Sequence, residues 1–241
     1  MIPKKIHYCW FGKKPIPENT LKYIDSWKKY LPDCEIKEWN ESNFDINQYK
    51  YTKEAYFAKK YAFVSDVARL HALVTEGGLY FDTDILVLKP FDPYLWSQKA
   101  FIGFELETFI GTGIIAAEAN HPLFKDFLAS YKSKSFFKGL NYNLETNVYQ
   151  ITDFFAKKGL LRNNTKQVIE DVLVLPQNYF CNKDWESGKY YNNENSYTIH
   201  DYQSTWCDSS KGICHKVQRK IKKILTILYF NCLNFFKPKN N

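Results

Sequence analysis

The sequence predicts one α/β domain with a mixed central sheet, followed by a C-terminal amphipathic helix. Its 241 residues, of which 45% are hydrophobic, suffice for one full core and are few for two. Residues 61–75 place apolar side chains at helical spacing, and a glycine pair and an aromatic strand follow. We therefore expect a globular domain over residues 1–210 and a separate tail over residues 211–241.

Short apolar runs and helical periodicities alternate along the chain. Strands are predicted at residues 6–10, 35–39, 79–81, 85–88, 101–104, 110–117, 172–175 and 197–200. Helices are predicted at residues 17–30, 61–75, 121–131 and 145–158. Residues 40–52 are polar and read as a loop, residues 132–144 as a mobile loop over a cleft, and the two prolines after Leu88 as a turn.

Two aspartates interrupt the apolar run of residues 79–88. In an extended chain, residues two apart point to the same side, so Asp82 and Asp84 present their carboxylates together while Thr83 faces away. Such a pair repels unless a cation lies between the charges, and divalent cations prefer oxygen ligands. Taken alone the pattern is weak, because the same residues occur in solvated surface turns and as helix caps.

Asp66 and Arg69 lie three residues apart on the predicted helix of residues 61–75 and share one face. An acid and a base on one face can both point into a cleft. An internal ion pair is the alternative, and the sequence leaves both interpretations open.

Composition excludes several classes of function. Seven Lys and Arg residues and no acidic residue lie in 215–241, so the tail accounts for the whole net charge of +7 and the sequence predicts no nucleic-acid partner. No glycine-rich phosphate loop and no G-x-G-x-x-G segment is present. The six cysteines form no Cys-x-x-Cys pair and read as reduced thiols; a zinc site at Cys207, Cys214 and His215 lacks a convincing fourth ligand.

The segment YAFVSDVARLHALVTEGGLYFDTDILVL, residues 61–88, closely resembles the sugar-transferase segment of glycosyltransferase family 32. This family includes capsule-building transferases and, more distantly, the glucosylating toxins of clostridia. IPKKIHYCWFG and SWKKYLPDCEIKEWN upstream, and GTGIIAAEANHPLF and HDYQSTW downstream, extend the resemblance over roughly residues 2–206.

The resemblance implies a GT-A catalytic domain that transfers a hexose from a UDP-sugar with retention of configuration. It implies Mn²⁺ or Mg²⁺ on Asp82, Asp84 and His200, with Asp201 competing for the third ligand position. The implied catalytic residues are Asp66, Arg69 and Asp84, and the implied donor-binding residues are Trp10, Asp66, Arg69, Asp82, Thr83, Ser204 and Trp206. The resemblance also implies that Trp10 stacks on the uracil base and that the indole of Trp206 contacts a phosphate group of the donor.

Two other classes remain open at this point. A metal-dependent nucleotidyl or phosphoryl transferase also uses paired aspartates, and a third carboxylate in the cleft would favour it. A non-catalytic sugar-binding module would explain the 18% aromatic content, although it has no need of the paired aspartates.

The tail pattern predicts a basic amphipathic helix that lies on an anionic membrane surface. Its apolar positions follow helical spacing, and five basic residues fall on the other face. The apolar run is shorter than the about 20 residues that span a bilayer. Because residues 1–5 show no signal pattern, we expect a cytoplasmic protein, peripheral on the inner membrane face, with a saccharide or lipid-linked saccharide acceptor.

Overall fold

The computed structural model describes residues 1–183, 187–190 and 194–202. Its largest element is a mixed seven-stranded sheet in the order β2-β1-β3-β6-β5-β10-β9. These strands are β1 (Lys5–Cys9), β2 (Glu35–Trp39), β3 (Gly78–Phe81), β5 (Ala100–Leu106), β6 (Phe109–Ala117), β9 (Gln167–Ile169) and β10 (Val172–Leu175). Two smaller pairs complete the strands: β4 (Ile85–Val87) with β11 (Thr198–His200), and β7 (Phe137–Lys138) with β8 (Asn141–Tyr142).

Six α-helices connect or cover these strands in the described part of the chain. They are α1 (Glu18–Tyr30), α2 (Lys50–Phe57), α3 (Tyr61–Glu76), α4 (Pro93–Ser97), α5 (Pro122–Ala129) and α6 (Asn147–Ala156). Single 3-10 turns follow at Ser130–Ser133 and Gln177–Tyr179. The predicted α/β class with a mixed central sheet is confirmed.

The strand directions bring several chain segments to one edge of the sheet. β1 is parallel to β3, β6 is antiparallel to β3, and β5 is antiparallel to β6. The residues after β1 and β3, the end of β5 and the start of β6 therefore share an edge. Ligands of open α/β sheets bind at such carboxyl-terminal edges.

Apolar clusters on the two faces hold this edge in place. One face packs against α3, α5 and α6, with Val67, Leu70 and Phe124 at 0% exposure. The other face packs against α1 and β4, where the fully buried Trp27 donates its indole hydrogen to the Ile85 carbonyl at 2.7 Å. That bond fixes the chain just after the two aspartates.

Several local expectations need correction. The predicted loop over residues 40–52 contains the start of α2, the two-proline turn contains α4, and the predicted mobile loop of residues 132–144 contains the β7–β8 hairpin. The hairpin is attached to the body by Glu54, whose carboxylate accepts from Ser135 Oγ at 2.6 Å and from Phe137 N at 2.9 Å. The predicted tail helix and the domain boundary at 210/211 lie outside the described residues, among which no helix is long and apolar enough to cross a membrane.

Candidate active site

The two aspartates come together through a turn, and the expectation of an extended conformation at residues 82–84 is wrong. Ile85 N donates to the Asp82 carbonyl at 3.1 Å, so residues 82–85 form a turn between β3 and β4. The two strands belong to different sheets: β3 pairs with β1 and β6, whereas β4 pairs with β11. Because the chain changes sheets at this point, both carboxylates lie at the edge where the strands diverge.

His200 lies beside these aspartates because β11 pairs with β4, with Ile85 opposite His200. Its Nε2 is 3.4 Å from Asp84 Oδ1. One ligand atom from each of Asp82, Asp84 and His200 lies within 4.8 Å of the others. Burial opposes protonation of the imidazole, but the Asp84 carboxylate outweighs it and raises the His200 pKa well above its usual value.

Asp201 has other partners. Its carboxylate binds Lys183 and Tyr23 and accepts from the Tyr190 hydroxyl at 3.2 Å. Burial opposes ionisation, and the contacts with Lys183 and Tyr23 overcome it and lower the pKa of the Asp201 carboxyl. Its backbone N–H donates to the Asp84 carbonyl at 3.0 Å. Between the two candidates for the third ligand, the geometry favours His200, and Asp201 anchors the strand that carries it.

Arg69 of α3 is 5% exposed and joins the helix to the sheet edge. Its guanidinium lies 3.1 Å from Asp66 Oδ1 and 3.3 Å from Asp82 Oδ1, and it donates to the Thr112 carbonyl at 2.6 Å. It also lies over the Tyr80 ring, whose hydroxyl donates to Asp82 Oδ1 at 2.8 Å. The internal ion pair exists, and it places Asp66 and Arg69 next to the aspartates.

Asp66 is 8% exposed, and its carboxyl is difficult to ionise there. Burial raises its pKa to about 6, since the nearby Arg69 only partly offsets the loss of water and Asp82 adds repulsion. The side chain of Asn147 of α6 lies near this carboxyl and partly offsets the increase in its pKa. A carboxyl that titrates near neutrality and lies in a cleft is typical of a functional site.

Glu105, at the end of β5, is a third carboxylate of this site that the sequence analysis missed. Burial raises its pKa, and Asp82 and Asp84 add to the increase. Its Oε2 lies 2.7 Å from where a Cβ on Gly111 would be, while His200 Cε1 and Asp82 Oδ2 lie 3.1 and 3.3 Å from where a Cβ on Gly113 would be. Gly111 and Gly113 thus make room for side chains of the site.

Trp10, the predicted base-stacking residue, follows β1 at the same sheet edge. Its ring is half-buried, and its indole N–H donates to the Lys14 carbonyl at 2.7 Å, which fixes the ring orientation. Glu41 stabilises the turn that follows Trp10, since its carboxylate accepts a hydrogen bond from Gly12 N at 2.7 Å. Thr83 lies half-buried in the turn between the aspartates, whereas Ser204 and Trp206 lie outside the described residues.

The donor set fits a small divalent cation. Two carboxylates and an imidazole suit Mn²⁺ or Mg²⁺, and the nitrogen ligand favours Mn²⁺. Ligand atoms on a cation bound at about 2.1 Å lie up to about 4.2 Å apart. The ligand atoms of Asp82, Asp84 and His200 lie within 4.8 Å of one another, which is only slightly wider.

Comparison with known proteins identifies this arrangement. Residues 17–101, which contain Asp66, Arg69 and both aspartates of the turn, match the family model described as the glycosyltransferase sugar-binding region containing the DXD motif. Over this segment the chain is similar to glycosyltransferases of the DXD type. The resemblance inferred from the sequence is confirmed at this level.

Three known proteins are similar to this chain over different shares of its length. An uncharacterized glycosyltransferase of Acanthamoeba polyphaga mimivirus is 26% identical over 227 residues, which cover 88% of this chain and 86% of the relative. The subversion of eukaryotic traffic protein A of Legionella pneumophila is 26% identical over 128 residues, 42% of this chain and only 20% of that protein. Among solved structures, the PaToxG glycosyltransferase superposes with a TM-score of 0.46 at 22% identity, covering 66% of this chain and 69% of that one.

The pKa of Asp66 gives a testable pH dependence of stability. The pKa of this carboxyl is 3.8 in the unfolded chain and about 6 in the folded protein. Between these two pH values the folded state keeps the proton that the unfolded state loses, so the free energy of unfolding falls as the pH rises. The unfolding free energy of the wild type minus that of Asp66→Asn should fall by about 2–3 kcal/mol from pH 4 to pH 7. Urea unfolding of both proteins across this range measures it; a constant difference would contradict the buried-carboxyl assignment.

Proposed function

We propose that this glycosyltransferase transfers a hexose from a UDP-sugar to a saccharide hydroxyl with the help of a divalent cation. The observation that carries the proposal is the convergence of Asp82, Asp84 and His200 at the sheet edge that also presents Trp10. The resemblance supports retention of configuration and a role in capsule or surface polysaccharide synthesis, and the basic pattern of residues 211–241 supports a lipid-linked acceptor.

The chemistry requires stabilisation of a departing diphosphate. The bond from the sugar C1 to the diphosphate oxygen breaks and its electron pair moves to that oxygen. C1 bonds to the acceptor oxygen, and the proton of the acceptor hydroxyl passes to the departing diphosphate. A bound Mn²⁺ or Mg²⁺ supplies Lewis acidity at the diphosphate. Asp82, Asp84 and His200 would hold it, while Trp10 would stack on the base.

Arg69 and Asp66 would act on the sugar side. The Arg69 guanidinium offsets the charge of Asp82 and adds positive potential next to the diphosphate position. Ionised Asp66 offers acceptors for donor hydroxyl groups, and its contact with Arg69 fixes its orientation. Because these groups are already held by the fold, little reorganisation accompanies the reaction.

Glu105 favours a second candidate. A third carboxylate beside two metal-ligating aspartates suits a nucleotidyl or phosphoryl transferase, in which a P–O bond breaks instead of the C1–O bond. The DXD-family match supports glycosyl transfer. The two reactions leave different products from the same UDP-sugar.

Asp84→Asn tests the cation site and the reaction together. We expect transfer to fall at least about a hundredfold, since a ligand charge is lost at the position where diphosphate charge develops. Melting temperature should change little, and Asp126→Asn, on the exposed face of α5, should keep full activity.

The measurement is ³¹P NMR of reactions with a panel of UDP-, GDP- and CMP-sugars plus Mn²⁺. Release of the nucleoside diphosphate from a UDP-sugar supports glycosyl transfer, whereas UMP with sugar 1-phosphate would establish the phosphoryl-transfer alternative. Near-normal turnover of Asp84→Asn would exclude the assigned cation site.

Nucleotide affinity should depend on Trp10 and on a cation together, because one contacts the base and the other the diphosphate. Calorimetric titration with UDP should show tight binding only with Mn²⁺ present. Trp10→Ala should weaken it about tenfold or more, consistent with about 1–3 kcal/mol for a base stacked on an aromatic ring, and Trp10→Phe should retain most of it. Equal affinity in EDTA would place the nucleotide elsewhere.

We also propose that the basic tail of residues 211–241 attaches the enzyme to the inner face of the cell membrane. The proposal rests on the sequence pattern, in which each Lys or Arg near an anionic surface contributes on the order of 1 kcal/mol. Flotation with phosphatidylserine vesicles should show salt-sensitive binding of the full chain and none for a chain ending at Lys211. Equal binding of both would refute it.

A further inference from the structure

Two polar groups beside the cation site lack a hydrogen-bond partner among the described residues. His200 Nδ1 is buried without one, and Glu105 forms no hydrogen bond or ion pair with any residue in the described ranges. The Cys181 thiol lies near the imidazole, but a thiol is a weak hydrogen-bonding group. Since buried polar groups are nearly always paired, the unpaired His200 Nδ1 needs an explanation, and the half-buried Glu105 carboxylate is an acceptor close to it.

The geometry of β6 places these two groups on one side of the strand. The Cβ position of Gly113 lies 3.3 Å from His200 Nδ1, and that of Gly111 lies 2.7 Å from Glu105 Oε2. Residues two apart on a strand share a face and are separated by about 6–7 Å. Glu105 and the Nδ1 edge of His200 are therefore neighbours on this face of β6.

A small pocket lies at the same place. Its lining includes Gly103, Gly111, Gly113, Cys181 and His200. The glycines leave it open, because a Cβ on Gly103 would meet the Phe180 ring at 2.6 Å and one on Gly111 would meet Glu105. The remaining lining residues, Ile85, Ile114 and Phe180, are apolar, so His200 and Cys181 supply the polar side chains, and Glu105 lies next to Gly111 outside this lining.

We propose that Glu105 is a positioning residue for His200. Its carboxylate accepts, through one water between the two side chains, the hydrogen bond that Nδ1–H donates. The proton is thereby held on Nδ1, and Nε2, which already faces Asp84, is left free to bind the cation. The inference rests on the cation site of the proposed function and assigns Glu105 a role within it.

Physical chemistry supports this arrangement. An imidazole binds a metal through one nitrogen in the neutral form, so the other nitrogen carries the proton and needs an acceptor. A carboxylate in that position fixes the ring and increases its basicity. Glu105 does not belong to the group of ligand atoms within 4.8 Å, which agrees with action through His200.

Mn²⁺ affinity, measured by electron paramagnetic resonance of the free ion without sugar donor, tests the proposal. Glu105→Ala should bind Mn²⁺ about 10–100-fold more weakly, the usual cost of losing a hydrogen-bond partner of a metal ligand. Glu105→Gln keeps a carbonyl acceptor and the same shape, and should lose less. Glu107→Gln, an exposed carboxylate two residues further along, is the matched control and should bind as the wild type does.

A double-mutant cycle separates action through His200 from a direct effect of charge. If Glu105 acts through the imidazole, Glu105→Ala should cause no further loss in a His200→Ala background. The same loss in both backgrounds, or an unchanged affinity of folded Glu105→Ala, would overturn the proposal. Because no sugar transfer is measured, an inactive chain with this binding pattern would refute the proposed function and leave the role of Glu105 intact.

Discussion

The buried guanidinium of Arg69 is the interaction on which the active site depends. It contacts a carboxylate of its own helix, a carboxylate at the end of β3 and a carbonyl of β6, so one side chain sets the distance between α3 and the sheet edge. Burying this charge without partners would cost several kcal/mol, and two carboxylates and a carbonyl offset that cost. Burial makes the Asp66 carboxyl hard to ionise in this arrangement, and the contact with Arg69 only partly offsets that effect.

Much of the fold could be predicted because apolar residues recur at strand or helix spacing in its strands and major helices. The helix α2 was missed because its buried residues include Tyr51, Thr52 and Glu54, which do not form an apolar stripe. The helix α4 did carry a signal, since Asp92 caps it and Pro93 begins it, but the two prolines suggested a turn. The turn at the aspartates was hidden because apolar runs flank it on both sides, and local sequence does not tell which sheet each run joins.

Site residues that lie close together in sequence could be predicted. Those brought to the site by the register of strand pairing could not. Asp66, Arg69 and the two aspartates lie in one short segment, and the resemblance supplied His200. Glu105 has no neighbour in sequence that marks it, and irregular pairing between Ile102 and Leu106 of β5 and the facing strand sets its position. The spacing of Gly111 and Gly113 was the available clue.

The pairing of β4 with β11 affects how the site can form during folding. Two cation ligands lie within residues 17–101, but the third comes from a strand nearly as far along the chain as the structure describes. The cation site is thus formed by residues that are far apart in sequence. Closing the loop between them costs chain entropy, which the pairing of β4 with β11 offsets. An early fragment that contains both aspartates would have a helix, a strand and two of the three candidate cation ligands. Cation binding would then favour the closed state by mass action and couple catalytic competence to completion of the fold.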